Sequence, residues 1–336
     1  MSARALTGFA VGLGLGVASG IFRRAPASGT VLVTGGSRGL GLLLAREYRR
    51  RGARVAICAR DAAELERAKD ALDGAGPPIL AVPCDVTERA QIAELVAMVR
   101  QHFGAIDTLV NNAGWIQVGP AEHMQDADYE RAMRVHFWGP LWAVEAVLPD
   151  MRRRRHGRIV NIASLAGLVP VPHMLPYTAS KFALVGWSEG LRAELAKHGI
   201  QVTTVCPALL RTGSPRNAEF KGRHRAEYTW FSIADSLPGL SMDAERAARR
   251  IVRGAEQGRA RVVAPLLVHV PVIAHAVVPG LAHGVLSALD RLLPRAGGVG
   301  AASRKGHDST TRWSPSWLTV LNERAARRTN QVTPSS

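Results

Sequence analysis

The stretch Thr34-Gly35-Gly36-Ser37-Arg38-Gly39-Leu40-Gly41 decides the fold of this protein. It follows a β-branched run at residues 30–34 and opens a helical pattern over residues 42–51. Glycines at such a junction permit a tight turn, and they let backbone N–H groups and the helix N-terminus approach a pyrophosphate without an intervening Cβ atom. The stretch therefore predicts a strand, a phosphate-binding turn and a helix in succession.

Short β-branched runs alternate with longer helical patterns across residues 30–265. Such an alternation forms βαβ units, so we expect one α/β domain with a doubly wound (Rossmann), seven-stranded and mostly parallel sheet. The predicted strands are residues 30–34, 54–59, 79–83, 108–111, 158–162, 201–206 and 261–264. Ser241, followed by Asp243 and Glu245, is typical of a helix start and predicts a helix to about residue 258.

Composition and charge exclude several classes of protein. The chain has 336 residues, of which 47% are hydrophobic and 21% charged, so it is not disordered as a whole. Its net charge of +16 raises nucleic acid or anionic lipid as partners. Because the basic residues are dispersed and only 5% of residues are aromatic, we expect no nucleic-acid partner. Cys58, Cys84 and Cys206 are too scattered for a disulfide framework or a metal site.

The N-terminal region, residues 1–29, contains an uncharged run at residues 5–22 that is flanked by Arg4 and by Arg23-Arg24. As a helix this run would be about 27 Å long, close to the ~30 Å hydrocarbon core of a bilayer. Glycines recur every fourth residue, at Gly8, Gly12, Gly16 and Gly20, a spacing that lets membrane helices approach closely. We expect an apolar membrane-anchor helix here. A signal peptide ending near Ala25-Pro26-Ala27 and a surface-packed or disordered tail are the alternatives.

The C-terminal extension, residues 266–336, begins in a second apolar stretch. Residues 262–289 contain no Asp, Glu, Lys or Arg, and Pro265, Pro271 and Pro279 interrupt them. These prolines argue against one straight membrane span. The stretch could pack on the core, cover the opening of a substrate site or enter a bilayer interface, and the sequence leaves all three open. Residues 314–328 predict a short basic helix.

Further motifs follow the glycine-rich turn in order: Asn111-Asn112-Ala113-Gly114, Ser164, Tyr177-Thr178-Ala179-Ser180-Lys181, and Pro207 with Thr212. Together with the T-G-x-x-x-G-x-G turn they resemble the short-chain dehydrogenase/reductase family over about residues 30–264. The resemblance implies hydride transfer between a nicotinamide cofactor and a carbonyl or alcohol, and a homo-oligomer. The residues it assigns to the cofactor are Gly35, Ser37, Arg38, Gly39, Leu40, Gly41, Asn112, Ala113, Gly114, Pro207 and Thr212.

The end of the second predicted strand bears on the choice of cofactor. An acidic residue there usually holds a ribose hydroxyl, whereas a 2′-phosphate needs a cation. Here Ala59 is followed by Arg60, and Arg38 in the glycine-rich turn adds a second guanidinium. These residues favour NADP(H), and NAD(H) is the alternative if both are ordinary surface arginines. By resemblance, Asp85 binds the adenine and Val86 packs beside it.

The catalytic prediction rests on Tyr177 and Lys181, which lie four residues apart on one helical face. To bring the pKa of a tyrosine from about 10 to near 7 requires ~4 kcal/mol. One cation ~4 Å away supplies about that much at an effective dielectric constant of 20. The resemblance implies that Tyr177 donates a proton to the substrate oxygen, that Ser164 holds this oxygen, and that Lys181 also binds the nicotinamide ribose.

Two positions depart from the family pattern. His136 stands where the family usually has an asparagine that helps to carry a proton relay, and Ala208 stands where glycine usually follows Pro207. A histidine hydrogen-bonds water and titrates near neutrality, so we expect His136 to serve the relay with an altered pH profile.

The substrate region is expected at residues 209–240, which hold several aromatic side chains. These residues and the apolar C-terminal segment favour a lipophilic alcohol or ketone as the small-molecule substrate. The sequence thus predicts an NADP(H)-dependent oxidoreductase that is associated with a membrane surface and has a cytoplasmic catalytic domain. The alternative is a nucleotide-binding scaffold or redox-sensing protein with the same fold and little turnover.

Overall fold

A computed structural model describes residues 29–74, 78–237, 241–317 and 319–332. The membrane anchor predicted over residues 5–22 lies outside these ranges. Within them, no helix combines the length and the apolar character needed to cross a membrane.

The central element is a seven-stranded sheet in which every neighbouring pair of strands is parallel. Its strands are β1 (Thr30–Thr34), β2 (Arg54–Ala59), β3 (Ile79–Pro83), β4 (Ile106–Asn111), β5 (Gly157–Ile162), β6 (Ile200–Pro207) and β7 (Arg261–Ala264). They lie side by side in the order β7-β6-β5-β4-β1-β2-β3. The predicted doubly wound α/β fold is therefore confirmed, and its strand order reverses between β1 and β4, where such folds bind ligands.

Helices cover both faces of this sheet. The α-helices of the described residues are α1 (Gly39–Arg50), α2 (Ala62–Leu72), α3 (Arg89–Phe103), α4 (Asp126–Met133), α5 (Gly139–Arg154), α6 (Leu175–Leu195), α7 (His224–Ser236), α8 (Ala244–Glu256), α9 (His269–Val277), α10 (Pro279–Asp290) and α11 (Val320–Arg328), and not all of them pack on the sheet. Side chains of α1, α2 and α8 form one hydrophobic core with the sheet, and those of α3 and α5 form another. Burial on both faces explains the nearly continuous apolar strands.

Some predicted boundaries needed correction. Ser241 does not cap a helix, because residues Ser241–Asp243 form a short strand beside Leu209–Arg211. The cap is Asp243, whose carboxylate accepts a hydrogen bond from the Arg246 N–H at 2.9 Å. The basic helix near the C-terminus begins at Val320 and not at residue 314.

The C-terminal extension has two parts. Helices α9 and α10 contain no buried residue, and Leu267, Leu281 and Leu292 in this region are 68%, 70% and 81% exposed. The remainder returns to the α/β domain. Residues Arg304–Lys305 pair with Glu219–Phe220, and the Asn322 side chain of α11 accepts a hydrogen bond from the Gly213 N–H at 2.7 Å.

Candidate active site

A cleft of about 1330 Å³ opens where strands β1 to β6 end. All residues predicted to bind the cofactor line it, including Asp85, Val86 and Arg60, and so do the predicted catalytic residues Ser164, Tyr177 and Lys181. His136 does not. The structure thus brings the separate sequence motifs together in one cavity.

The glycine-rich turn and the Asn112-Ala113-Gly114 segment form one packed unit. Gly35 has a φ of 63°, and a Cβ atom on it would lie 2.7 Å from Ala113 Cα. The Asn112 amide donates to the carbonyl oxygens of Thr34 and Gly35, both at 3.0 Å. The backbone N–H groups of Asn112 and Ala113 donate to Thr34 Oγ1 at 3.0 and 3.1 Å. These contacts fix the shape of the turn at the N-terminus of α1.

A carboxylate that sequence reasoning missed lies at the cation-rich end of the cleft. Glu64 forms an ion pair with Arg38 at 2.9 Å and also accepts a hydrogen bond from the Ser37 hydroxyl. It stands three residues after Asp61, whose side chain caps α2. The spacing from Asp61 to Glu64 is that of a capping box, which could have placed Glu64 at this helix end. Arg60 is exposed and lines the same end of the cleft.

Tyr177 and Lys181 share one face of α6, as predicted. Lys181 is 3% exposed, its Nζ donates to the Ile162 carbonyl oxygen at 2.9 Å, and it lies 5.5 Å from the centre of the Tyr177 ring. Burial lowers the pKa of Lys181 to about 7. Burial raises the pKa of Tyr177, and a hydrogen bond with Ser164 opposes this shift. Lys181 alone therefore does not bring the tyrosine pKa toward neutrality.

His136 lies behind the wall of the cleft, in a π-helical turn over Arg134–Trp138. It is fully buried, and both ring nitrogens form hydrogen bonds with protein atoms. Nε2 is 3.0 Å from the Trp115 backbone nitrogen, and Nδ1 is 2.8 Å from Ser180 Oγ. Burial, reinforced by the nearby charge of Lys181, holds its pKa well below the usual value of 6.5. Both ring nitrogens thus contact protein groups, and the role of His136 in a proton relay stays a prediction.

One part of the cleft has mainly apolar walls, formed by Val171, Met174, Leu209, Trp230, Phe231, Leu267 and Pro271. Asp235 also lines this cleft although it is only 2% exposed, and one of its carboxylate oxygens has no hydrogen-bond partner among the described residues. Burial raises its pKa to about 8. No motif marked Asp235, because its position depends on how α7 packs.

This fold, with Ser164, Tyr177 and Lys181 in one cleft, defines an α/β oxidoreductase. The chain belongs to the short chain dehydrogenase family, whose profile matches residues 29–221. It is 37% identical over 186 residues to the uncharacterized oxidoreductase YxjF of Bacillus subtilis strain 168, a match that covers 55% of this chain and 72% of that protein.

Two further similarities extend over more of the chain. The protein is 30% identical over 275 residues to 17-beta-hydroxysteroid dehydrogenase 13 of Rattus norvegicus, covering 80% of this chain and 85% of the relative. Its fold matches the crystal structure of an actinorhodin polyketide ketoreductase variant with NADPH, with a TM-score of 0.63 and 32% identity. That match covers 70% of this chain and 95% of the ketoreductase.

The cleft fits the nicotinamide dinucleotide that the family uses. Its volume of about 1330 Å³ exceeds that of an ordinary small-ligand pocket. A Cβ atom on Gly41 would clash with the Gly35 carbonyl oxygen, so glycine there lets the turn pack against the N-terminus of α1, where first-turn N–H groups have no intrahelical acceptor. Arg38, Arg60 and Lys181 supply positive charge along the cleft.

Proposed function

We propose that the protein is an NADP(H)-dependent oxidoreductase that interconverts a lipophilic carbonyl compound and the corresponding alcohol. The observation that carries the proposal is the meeting of Tyr177, Ser164 and Lys181 in one cleft beyond the glycine-rich turn. The dinucleotide supplies the hydride in the reductive direction. Protein side chains must then bind the substrate oxygen and deliver a proton to it.

Tyr177 is the proton donor in this scheme. Its raised pKa keeps the phenol protonated at neutral pH, which suits reduction. Ser164 hydrogen-bonds with Tyr177 and binds the same substrate oxygen as its negative charge develops. Lys181, held by the Ile162 carbonyl, binds the nicotinamide ribose and supplies a nearby positive charge when it is protonated.

The preference for NADP(H) over NAD(H) rests on two arginines. Arg60 is exposed at the end of β2, where its guanidinium is free to meet a 2′-phosphate. Arg38 is paired with Glu64, so it must change partner or share its charge to contribute. Arg60 is therefore the main determinant of the preference for NADP(H), and Glu64 limits this preference because it holds Arg38.

The proposal of a lipophilic substrate is supported by the apolar part of the cleft wall. Trp230, Phe231 and Met174 supply large apolar surfaces there, and Leu267 and Pro271 extend them from the C-terminal extension. Two similar proteins have names that refer to a hydroxysteroid and a polyketide. A bulky apolar ketone or secondary alcohol fits these apolar walls best.

A membrane surface is the proposed partner of the exposed helices α9 and α10, with the catalytic domain on the cytoplasmic side. Large apolar side chains cover both helices, including Val270, Val277 and Leu281, which are 67%, 72% and 70% exposed. Such a hairpin enters a bilayer interface readily, and the net charge of +16 favours anionic lipid. Because Leu267 and Pro271 also line the cleft, this orientation would let a lipophilic substrate enter from the bilayer.

A substrate assay with Tyr177→Phe tests the enzymatic proposal. Wild-type protein should oxidise NADPH in the presence of at least one member of a panel of aliphatic, steroid, retinoid and acyl carbonyls. Tyr177→Phe should bind NADPH with unchanged affinity but turn over at least about a thousandfold more slowly. Tight NADPH binding without turnover on any carbonyl would instead identify a nucleotide-binding scaffold.

A further inference from the structure

The C-terminal tail, defined here as residues 329–331, crosses the glycine-rich turn although it lies more than a hundred residues beyond the part that matches the family. The Thr329 carbonyl oxygen accepts a hydrogen bond from the Gly39 N–H at 2.8 Å. The Thr329 hydroxyl donates to the Thr212 carbonyl oxygen at 2.7 Å. The tail thus links the two segments between which the family resemblance places the dinucleotide.

Asn330 attaches the tail to the other side of the turn. Its amide nitrogen donates to the carbonyl oxygens of Ser37 and Glu64, at 2.9 and 3.0 Å. Its amide oxygen accepts a hydrogen bond from Arg67 at 3.3 Å. Asn330 adopts a left-handed backbone conformation with a φ of 55°, which asparagine tolerates better than most residues. These specific contacts indicate a defined docking site for the tail.

Gln331 is the tail residue that faces the cleft. Its side-chain oxygen accepts a hydrogen bond from the Asn217 amide at 2.7 Å, which directs the NH2 group the other way. The Nε2 atom lies 2.9 Å from the position that a Cβ atom on Gly39 would occupy. Among the described residues no hydrogen-bond acceptor for Nε2 is present, and Gln331 lines the cleft. A donor group is therefore held beside the glycine-rich turn without a protein acceptor.

We propose that the C-terminal tail completes the dinucleotide site and that the Gln331 carboxamide donates a hydrogen bond to the diphosphate. This inference rests on the proposed use of a nicotinamide dinucleotide. The tail occupies one backbone donor of the phosphate-binding helix, the Gly39 N–H, and offers the Gln331 NH2 group beside it. Phosphate oxygens are charged acceptors, for which such a donor is well suited.

The diphosphate is common to NADPH and NADH, whereas the 2′-phosphate is not. A contact from Gln331 therefore changes the affinity for both dinucleotides by the same factor. Arg38 and Arg60 are proposed to contact the 2′-phosphate and so to change the ratio between the two affinities. The two affinities therefore distinguish two effects of the tail. A contact with the diphosphate changes both affinities equally, whereas an indirect effect on Arg38 and Arg60, near which Asn330 also binds, changes their ratio.

The experiment is a fluorescence titration of the full-length protein with NADPH and with NADH. Gln331→Ala should raise both dissociation constants by about tenfold, since it removes a hydrogen bond to a charged group. Gln331→Glu should raise both further because a carboxylate repels the diphosphate. The matched control is Gln101→Ala at an exposed position of α3, which should bind like wild type. Without nucleotide, the melting temperature of Gln101→Ala should equal that of wild type, and that of Gln331→Ala should fall by no more than about 4 °C because it loses the hydrogen bond with Asn217.

Each contrary outcome has a distinct meaning. Unchanged dissociation constants for Gln331→Ala would overturn the contact while leaving the proposed function intact. Tighter binding by Gln331→Ala would also overturn it, because the tail would then compete with the dinucleotide. Weaker binding of NADPH alone would assign the effect to the 2′-phosphate end and reject the diphosphate contact. If wild-type protein bound neither dinucleotide, the proposed function would fail together with this inference.

Discussion

His136 Nδ1 lies 2.8 Å from Ser180 Oγ, and this contact determines the proton arrangement behind Tyr177, the proposed proton donor. The Ser180 hydroxyl donates its hydrogen to the Tyr177 carbonyl oxygen at 2.9 Å, so it must accept from Nδ1–H. Nε2 accepts from the Trp115 N–H at 3.0 Å and carries no proton. The ring is therefore the neutral Nδ1-protonated tautomer, which connects the backbone at Trp115 with the backbone at Tyr177.

Replacing His136 should affect geometry and not titration. His136→Leu removes both hydrogen bonds and leaves the Trp115 N–H buried without an acceptor, which should lower the free energy of unfolding by about 2–4 kcal/mol and kcat by at least about tenfold. His136→Asn retains a carbonyl acceptor and an amide donor and should preserve most activity.

The pH profile of kcat/KM between pH 5.5 and 8 distinguishes the two roles of His136. Because the pKa of the buried ring is already well below 6.5, His136→Asn should leave this profile unchanged. His102→Asn, at an exposed position of α3, is the control for the loss of an imidazole. If the profile lost an ionisation in His136→Asn but not in the control, His136 would be assigned to the proton relay.

The Arg38–Glu64 ion pair leads to a prediction about cofactor preference. Glu64→Gln removes the carboxylate that holds Arg38, so the guanidinium becomes available to a 2′-phosphate. The ratio of kcat/KM with NADPH to that with NADH should rise by about threefold to tenfold. Glu66→Gln, on the same helix but with its side chain 63% exposed, is the matched control and should leave the ratio unchanged. If the ratio did not rise in Glu64→Gln, Glu64 would have no effect on the choice between NADPH and NADH.

The sequence predicted the fold and the position of the cleft because both depend on local signals. β-branched runs and the glycine-rich turn placed the strands to within about two residues, and parallel strands bring their carboxyl ends together without further information. The end of β2 at Ala59 and the end of β6 at Pro207 agree with this reasoning.

The site residues that the sequence did not predict depend on contacts between distant parts of the chain. Glu64 became significant only when α2 placed it beside Arg38, and Gln331 reached Gly39 only because the C-terminal extension folds back. The packing of His136 was not predicted for a related reason. Its tautomer and its low pKa follow from burial against Ser180 and Trp115, and no sequence pattern reports such packing.

The exposed hairpin of α9 and α10 should mediate binding to lipid vesicles. The double variant Leu281→Glu, Val285→Glu changes side chains that are 70% and 53% exposed, so it should leave the melting temperature nearly unchanged. It should weaken cosedimentation with phosphatidylglycerol-containing vesicles by about tenfold, because apolar contact is lost and negative charge is added. Met98→Glu, 42% exposed on α3, is the control. Equal binding by the double variant and wild type would show that the hairpin does not contact lipid.

Asp235 should make the protein less stable as the pH rises. Its pKa is about 8 in the folded state and about 3.8 in an unfolded chain, so the folded state alone retains the proton between these values. The stability that depends on the neutral carboxyl is fully present below pH 4 and is lost as the pH rises through 8. In urea denaturation, Asp235→Asn should gain about 1 kcal/mol relative to wild type per pH unit between pH 5 and 7. Asp70→Asn, exposed on α2, should show no such trend, and a pH-independent difference for Asp235→Asn would contradict the buried neutral acid.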